Sequence, residues 1–229
     1  MTRPIIMFDM DGTLLDLAFD DLIWNHRLPE RHALAHHCSL QQSQATLFEF
    51  YQQHKHTISW YSSRYWTEKV GVDTLELQKE FQAHIKPRRG CFELLKMLKE
   101  QGYRCWLVTN ADCAGLALKL ENVDLQPYFD VMISSEQIGY SKEYVEFWQI
   151  LQSMHPFDPT QAVLIDDTAA VLAGAQRFGI QHLVTITQPS TQKAQRQSHE
   201  LDYPAIDHLT EFLPLLAQFN LKDLDAKTA

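Results

Sequence analysis

The feature that most constrains this chain is a pair of carboxylates at the end of a short apolar run. The motif D-x-D-G-T contains Asp9 and Asp11 and follows directly after the apolar segment 4–8. In an extended chain alternate side chains point to the same side, so both carboxylates can face one small volume beyond a buried strand. Gly12 permits the tight turn that must follow. The motif therefore predicts a reaction centre at the end of the first strand of a sheet.

An acidic stretch that contains a glycine has two other interpretations. A calcium-binding EF-hand loop requires the pattern D-x-D-x-D-G, a preceding helix and a Glu at its twelfth position, and none of these accompanies Asp9. A chance acidic turn after a strand has no such requirements. It stays open until the other strand ends are considered.

Length, charge and cysteine spacing limit the classes of protein to which the chain can belong. Its 229 residues are enough for one large core with an insertion. The net charge of -9 opposes binding to a nucleic acid polymer or to an anionic membrane surface. No apolar run approaches the ~18 residues of a membrane span, and we expect a cytoplasmic protein. The cysteines and histidines lack metal-binding spacing, so we expect packing cysteines and solvated histidines.

Strand-like and helical segments alternate along the chain, which predicts an α/β fold with a Rossmann-like parallel sheet and helices on both of its faces. The predicted strands are 4–8, 103–109, 130–134, 162–165 and 182–186. The predicted helices are 90–100, 111–122, 142–154 and 168–178, with a last helix at 209–218 after a polar loop at 188–204.

The segment 17–86 has a different pattern from the rest of the chain. It shows no strand alternation, and amphipathic helices are predicted at 20–36, 40–56 and 59–70. The breakers around Pro87 and Gly90 mark the return to the sheet. We therefore expect a helical insertion at 17–86, within a core formed by 1–16 and 87–229.

Polar residues also follow the later predicted strands. Parallel sheets bind ligands beyond the carboxyl ends of their strands, where Thr109 and Asn110 can hold an anion at a helix start. Lys142 places a cation at another predicted helix start, where the helix dipole is already positive. A bound anion would offset this unfavourable charge. Asp166 and Asp167 emerge from an apolar run. Each feature alone is usually structural, but together at successive strand ends they predict one phosphate site.

Phosphoryl transfer through an aspartate is the chemistry that requires this set of residues. A carboxylate can attack phosphorus to give an aspartyl phosphate, which water then hydrolyses. Like charges about 4 Å apart repel by on the order of 4 kcal/mol per pair at an effective dielectric near 20, so Asp9, Asp166, Asp167 and a phosphate need cations. Lys142 supplies one, and Mg²⁺ suits carboxylate and phosphate oxygens. Asp11 is left for proton transfer, and its acidic neighbours favour the protonated form.

In order and setting these residues resemble the four motifs of the haloacid dehalogenase superfamily, and the helical insertion resembles its C1 cap. The resemblance implies that Asp9 is the nucleophile and a metal ligand. It implies that Asp11 is the general acid/base, with its backbone carbonyl on Mg²⁺. It implies that Thr109 and Lys142 bind the phosphate. It also implies that Asp167 ligates the metal and that Asp166 does so directly or through water. Asp11 argues against a dehalogenase, because a halide leaves without a proton.

The substrate is predicted less directly than the reaction. Stretches around Asp11, Trp60 and Lys142 resemble bacterial GMP/IMP nucleotidases, although Ser141 stands where those enzymes have Pro. This implies a small phosphorylated metabolite, a purine nucleoside monophosphate. A sugar-phosphate phosphatase, a phosphomutase and a non-catalytic binding protein are the alternatives. The aromatic residues of the insertion can be core or can face a base. The expected substrate contacts are Phe19, Asp20, Trp24, Trp60 and Tyr61.

Overall fold

The computed structural model describes residues 4–219 and 221, and a six-stranded parallel sheet lies at its centre. The strands are β1 (Ile5–Phe8), β2 (Arg104–Thr109), β3 (Val131–Ser134), β4 (Ala162–Ile165), β5 (His182–Ile186) and β6 (Ala205–Ile206). Their order is β3-β2-β1-β4-β5-β6, and every neighbouring pair is parallel. The α/β prediction is confirmed. The short strand β6 was missed, because two residues give no periodic pattern.

The central strand β1 is buried on both faces, which explains its continuous apolar sequence. Ile6 and Phe8 contribute to one hydrophobic cluster, whereas Ile5 and Met7 contribute to a second cluster on the opposite face of the sheet. Successive side chains of a strand point to opposite faces. The strand therefore joins the two layers of core, and the motif that follows it starts from a rigid base.

The segment between β1 and β2 is helical over most of its length. It contains α1 (Ala18–Leu22), a π-helical turn (Ile23–Arg27), α2 (Leu28–Ala35), α3 (Leu40–His54), a 3₁₀ turn (Ile58–Tyr61), α4 (Ser63–Val70) and α5 (Thr74–Glu80). The predicted helix 20–36 is thus interrupted, the predicted helix 59–70 is a 3₁₀ turn followed by α4, and α5 was missed. Ser39 and Gln42 form a capping box that begins α3.

Among the described residues, six further α-helices belong to the part of the chain that carries the sheet. They are α6 (Cys91–Glu100), α7 (Cys113–Asn122), α8 (Ser135–Ile138), α9 (Val145–Met154), α10 (Ala169–Phe178) and α11 (Phe212–Leu216). The predicted helix 142–154 begins only at Val145, because Lys142 lies in the loop before it. Each helix in the described part of the chain is too short or too polar to cross a bilayer.

Cysteines and histidines depart partly from expectation. Cys91 and Cys105 are buried, but Cys113 is exposed, so its predicted packing role is wrong. His32 is buried and hydrogen-bonds Ser43, so it is not a solvated histidine. His56 hydrogen-bonds a glutamate at the site described next.

Candidate active site

The carboxyl ends of the strands converge on one cavity of about 450 Å³. Its wall includes every side chain for which a catalytic, phosphate-binding or metal-binding role was predicted: Asp9, Asp11, Thr109, Asn110, Lys142, Asp166 and Asp167. These residues come from four separate chain segments. The parallel arrangement of β1, β2 and β4 brings their ends to the same edge of the sheet, and Lys142 arrives from the loop after α8.

Lys142 is the cation at the centre of this site. Its side chain is 1% exposed, and its ammonium donates to Asp9 Oδ1 at 2.6 Å, to Asp166 Oδ2 at 2.7 Å and to the Val108 carbonyl at 3.0 Å. An ammonium has three donors, so all of them are used. Burial alone would lower the pKa of Lys142, but Asp166 and Asp9 outweigh it and raise that pKa. The lysine is therefore charged and fixed.

Asn110 fixes the backbone of Lys142 through a hydrogen bond. The backbone N–H of Lys142 donates to Asn110 Oδ1 at 2.9 Å. The neighbouring Thr109 is buried, and its hydroxyl oxygen accepts a hydrogen bond from the Ala111 N–H at 3.0 Å. The end of β2 thus supports the lysine loop as well as lining the cavity.

Three carboxylates at this site could hold a metal ion. Asp9, Asp166 and Asp167 each offer an oxygen within 4.8 Å of the others. Burial raises the pKa of Asp9 well above its usual value, although Lys142 opposes this shift. Burial and then the charge of Asp166 raise the pKa of Asp167 to about 7. The acids resist ionising together, and a divalent cation with hard oxygen ligands, such as Mg²⁺, fits this donor set.

Asp11 contacts a second buried lysine, which the sequence interpretation missed. Lys119, on α7, is 3% exposed, and its ammonium lies 2.6 Å from Asp11 Oδ1. The same ammonium donates to both carboxylate oxygens of Asp20, at 3.0 and 3.1 Å. Asp11 therefore has a cationic neighbour that the prediction did not include. A signal existed, since Lys119 interrupts the apolar face of α7.

Glu143 is a second charged residue that the sequence interpretation missed. It is buried, and its carboxylate accepts a hydrogen bond from the Tyr61 hydroxyl at 2.6 Å and from the Asn110 amide at 3.1 Å. It also pairs with His56 Nδ1 at 3.0 Å. The Ser141 hydroxyl donates to the His56 carbonyl at 2.8 Å, a bond that Pro could not make. Two residues beside Lys142 thus tie the helical insertion to the core.

The structure brings four of the five expected substrate contacts to the cavity. Asp20, Trp24, Trp60 and Tyr61 line it, whereas Phe19 is 2% exposed and lies in the hydrophobic core instead. The aromatic rings also pack on one another, since Trp66 makes edge-to-face contacts with both Trp24 and Trp60. The two interpretations of these aromatics are therefore compatible, because one cluster forms both a core and a wall of the cavity.

Comparison with known proteins identifies relatives of similar length. Residues 6–185 match the family model of haloacid dehalogenase-like hydrolases. The chain is 31% identical to the GMP/IMP nucleotidase YrfG of Escherichia coli K12, over 92% of this chain and 94% of that protein. It is 24% identical to the pyrophosphatase PpaX of Bacillus mycoides, over 94% and 97%.

Solved structures share this fold. A haloacid dehalogenase phosphatase from Thermococcus onnurineus superposes with a TM-score of 0.77 at 20% identity, covering 93% of this chain and 98% of that one. A β-phosphoglucomutase-like protein from Thermotoga maritima superposes with a TM-score of 0.67 at 20% identity, covering 94% and 99%. The length of the family match and the full-length relative lead to one conclusion. The chain belongs to the haloacid dehalogenase-like hydrolase family, and it is a phosphatase of that family.

Proposed function

We propose that this chain is a Mg²⁺-dependent phosphomonoesterase that acts through an aspartyl phosphate on Asp9. The observation that carries the proposal is the Asp9 carboxylate held 2.6 Å from the buried Lys142 ammonium, beside two further acids. A structural salt bridge needs one partner for each charge, whereas this cluster has more acids than cations. The surplus of negative charge suits a site that binds a metal ion and then a phosphate.

The reaction would proceed in two steps. A carboxylate oxygen of Asp9 attacks phosphorus, the bond to the ester oxygen breaks, and Asp11 gives that oxygen a proton. Asp11 then takes a proton from water, whose oxygen attacks phosphorus, and inorganic phosphate and free Asp9 are released. Thr109, Asn110 and Lys142 line the space where the phosphate oxygens would bind. Asp9, Asp166, Asp167 and the backbone carbonyl of Asp11 would hold Mg²⁺, which would supply positive charge opposite the phosphate.

The substrate we propose is a 6-oxopurine nucleoside monophosphate, GMP or IMP. The full-length relative that cleaves these nucleotides supports the choice, as does the aromatic wall formed by Trp24, Trp60 and Tyr61. Gln78 adds a polar group to the same wall. Its amide nitrogen donates to the Thr74 carbonyl and to Ser63 Oγ, each at 3.2 Å. The side-chain oxygen of Gln78 is then available to accept a hydrogen bond from the N1–H of a 6-oxopurine. AMP has no N1–H to donate.

The test is phosphate release by the purified chain with Mg²⁺ across GMP, IMP, AMP, CMP, UMP and hexose phosphates. We expect kcat/KM to be highest for GMP and IMP, because an unpaired buried acceptor costs about 1–3 kcal/mol, or roughly 5- to 150-fold, for the wrong base. Asp9→Asn should be inactive on all of them with an unchanged circular dichroism spectrum. Activity in that variant contradicts the nucleophile assignment.

Other outcomes of this screen would favour one of the alternatives. Equal efficiency for AMP would remove the 6-oxopurine preference. A preference for hexose phosphates would favour the sugar-phosphate phosphatase, and product that retains the phosphate on another hydroxyl would favour a phosphomutase. A chain that binds nucleotides but releases no phosphate would favour the binding protein.

A further inference from the structure

A buried ammonium outside the strand-end motifs contacts the acid/base residue. Lys119 lies on α7, and its charged group is 2.6 Å from Asp11 Oδ1. Burying a lysine costs several kcal/mol unless its charge is paired. Asp20 supplies the additional pairing, since both of its carboxylate oxygens accept from the same ammonium, at 3.0 and 3.1 Å. The lysine is therefore held between a core acid and an acid of α1.

The two buried lysines pair with four of the acids that line the cavity, in two separate sets. Lys142 contacts Asp9 and Asp166, whereas Lys119 contacts Asp11 and Asp20. Within the described residues these two sets share no ion pair. One lysine thus holds the attacking carboxylate, and the other holds the carboxylate that moves the proton.

Asp20 connects this arrangement to the helical insertion. It lies on α1, the first helix of the insertion, which begins where the Ala18 N–H donates to Asp16 Oδ1 at 2.9 Å. If α1 moved away from the core, Lys119 would lose two of its three carboxylate oxygens. The position of the ammonium therefore depends on the docking of α1.

We propose that Lys119 is a positioning residue for Asp11, and that Asp20 fixes Lys119 when α1 is docked. The proposal rests on the proposed function, in which one Asp11 carboxyl group must reach the ester oxygen in the first step and water in the second. In the described part of the chain Lys119 is the cation that contacts this carboxyl group. Without it the side chain can rotate away from both positions. The attack by Asp9 itself does not depend on this contact.

The test compares two substrates in Lys119→Met, which keeps the apolar stem and removes the charge. For GMP the ester oxygen leaves only with a proton, so we expect kcat/KM to fall about 10²-fold, the cost of misplacing a catalytic group by about 1 Å. For p-nitrophenyl phosphate the leaving group needs no proton, and kcat/KM reports the step up to its departure. We expect that value to change less than about threefold, because most of the acid contribution is absent.

Rapid mixing gives a readout that a purely structural role would not change. If Asp11 also activates water poorly in Lys119→Met, the aspartyl phosphate accumulates. A burst of p-nitrophenol, close to one equivalent per enzyme, should then precede the steady state and be larger than in the unaltered protein. Lys119→Arg keeps a cation and should recover part of the GMP activity.

Asp20→Asn is the second variant, which keeps the shape of the residue and leaves the Lys119–Asp11 contact in place. It should show a smaller loss for GMP and, with p-nitrophenyl phosphate, a burst larger than in the unaltered protein. The burst does not depend on a contact between Asp20 and a nucleotide, so it keeps the test decisive if Lys119→Met does not fold. Equal loss on GMP and p-nitrophenyl phosphate in the folded variants, or the absence of a larger burst, would overturn the role of Lys119. Failure of the unaltered protein to hydrolyse either substrate would instead overturn the proposed function.

Discussion

Replacing Gly12 with Ala should lower the affinity for Mg²⁺ strongly and the stability of the fold only modestly. Gly12 has a φ of +90°, and a Cβ placed there would lie 2.7 Å from Asp167 Cγ and 2.9 Å from both carboxylate oxygens. Ordinary contact begins near 3.4 Å, so the carboxylate must retreat by 3.4 − 2.7, or about 0.7 Å. Mg²⁺ requires near-ideal octahedral geometry, and disturbing a ligand's support typically costs 10- to 100-fold in metal affinity.

Gly139 provides a matched control for the backbone strain. Its φ is +85°, and nothing lies within 4 Å of the position where its Cβ would be. Both alanine variants carry the left-handed backbone cost of roughly 1–2 kcal/mol, which at this length corresponds to a Tm lower by about 2–8 °C. Only Gly12→Ala displaces Asp167.

The assay is phosphate release titrated with Mg²⁺, together with thermal unfolding of both variants. We expect the Mg²⁺ concentration for half-maximal activity to rise by about 10- to 100-fold in Gly12→Ala and to stay unchanged in Gly139→Ala, while both Tm values fall. Half-saturation of the two variants at the same Mg²⁺ concentration would contradict the prediction, because the position of Asp167 would then not affect metal binding.

Three further predictions concern the metal, the insertion and the thiols. Chelation with EDTA should abolish activity reversibly. Ca²⁺ should restore it poorly, because its larger and looser coordination shell misaligns the carboxylate and phosphorus. Full activity in the presence of the chelator would contradict the proposed metal requirement. Glu143→Gln should raise KM for nucleotides by roughly tenfold, because about 1–2 kcal/mol of hydrogen bonding to the insertion and to Asn110 is lost. An unchanged KM in steady-state kinetics would show that these hydrogen bonds do not affect substrate binding. Burial raises the pKa of Cys91 and of Cys105 to about 12. At pH 8 a thiol reagent should therefore modify the exposed Cys113 before either of them in the folded protein. Early labelling of Cys91 or Cys105, detected by mass spectrometry, would contradict their burial.

Five of the six strands, and the polar residues at their ends, could be predicted from the sequence. A continuous apolar run followed by Asp9 and Asp11 is a local pattern, and so is the apolar run that leads to Asp166. Because parallel strands present their carboxyl ends at one edge, the position of a polar residue just after a strand is enough to place it near the others. The regions of the core helices could be predicted for the same reason, since an apolar face repeats every three to four residues.

Tertiary packing sets which charges pair across the fold. Lys119 meets Asp20 from 99 residues away, and Tyr61 meets Glu143 from 82 residues away. It also decided that Phe19 packs in the core while Trp24, five positions along, reaches the cavity. Periodicity specifies which face of a helix is apolar, but it does not encode the angle and offset at which two helices dock. A buried lysine or glutamate is stable only where that docking brings it a partner, so the partners of Lys119 and Glu143 could not be predicted from the sequence.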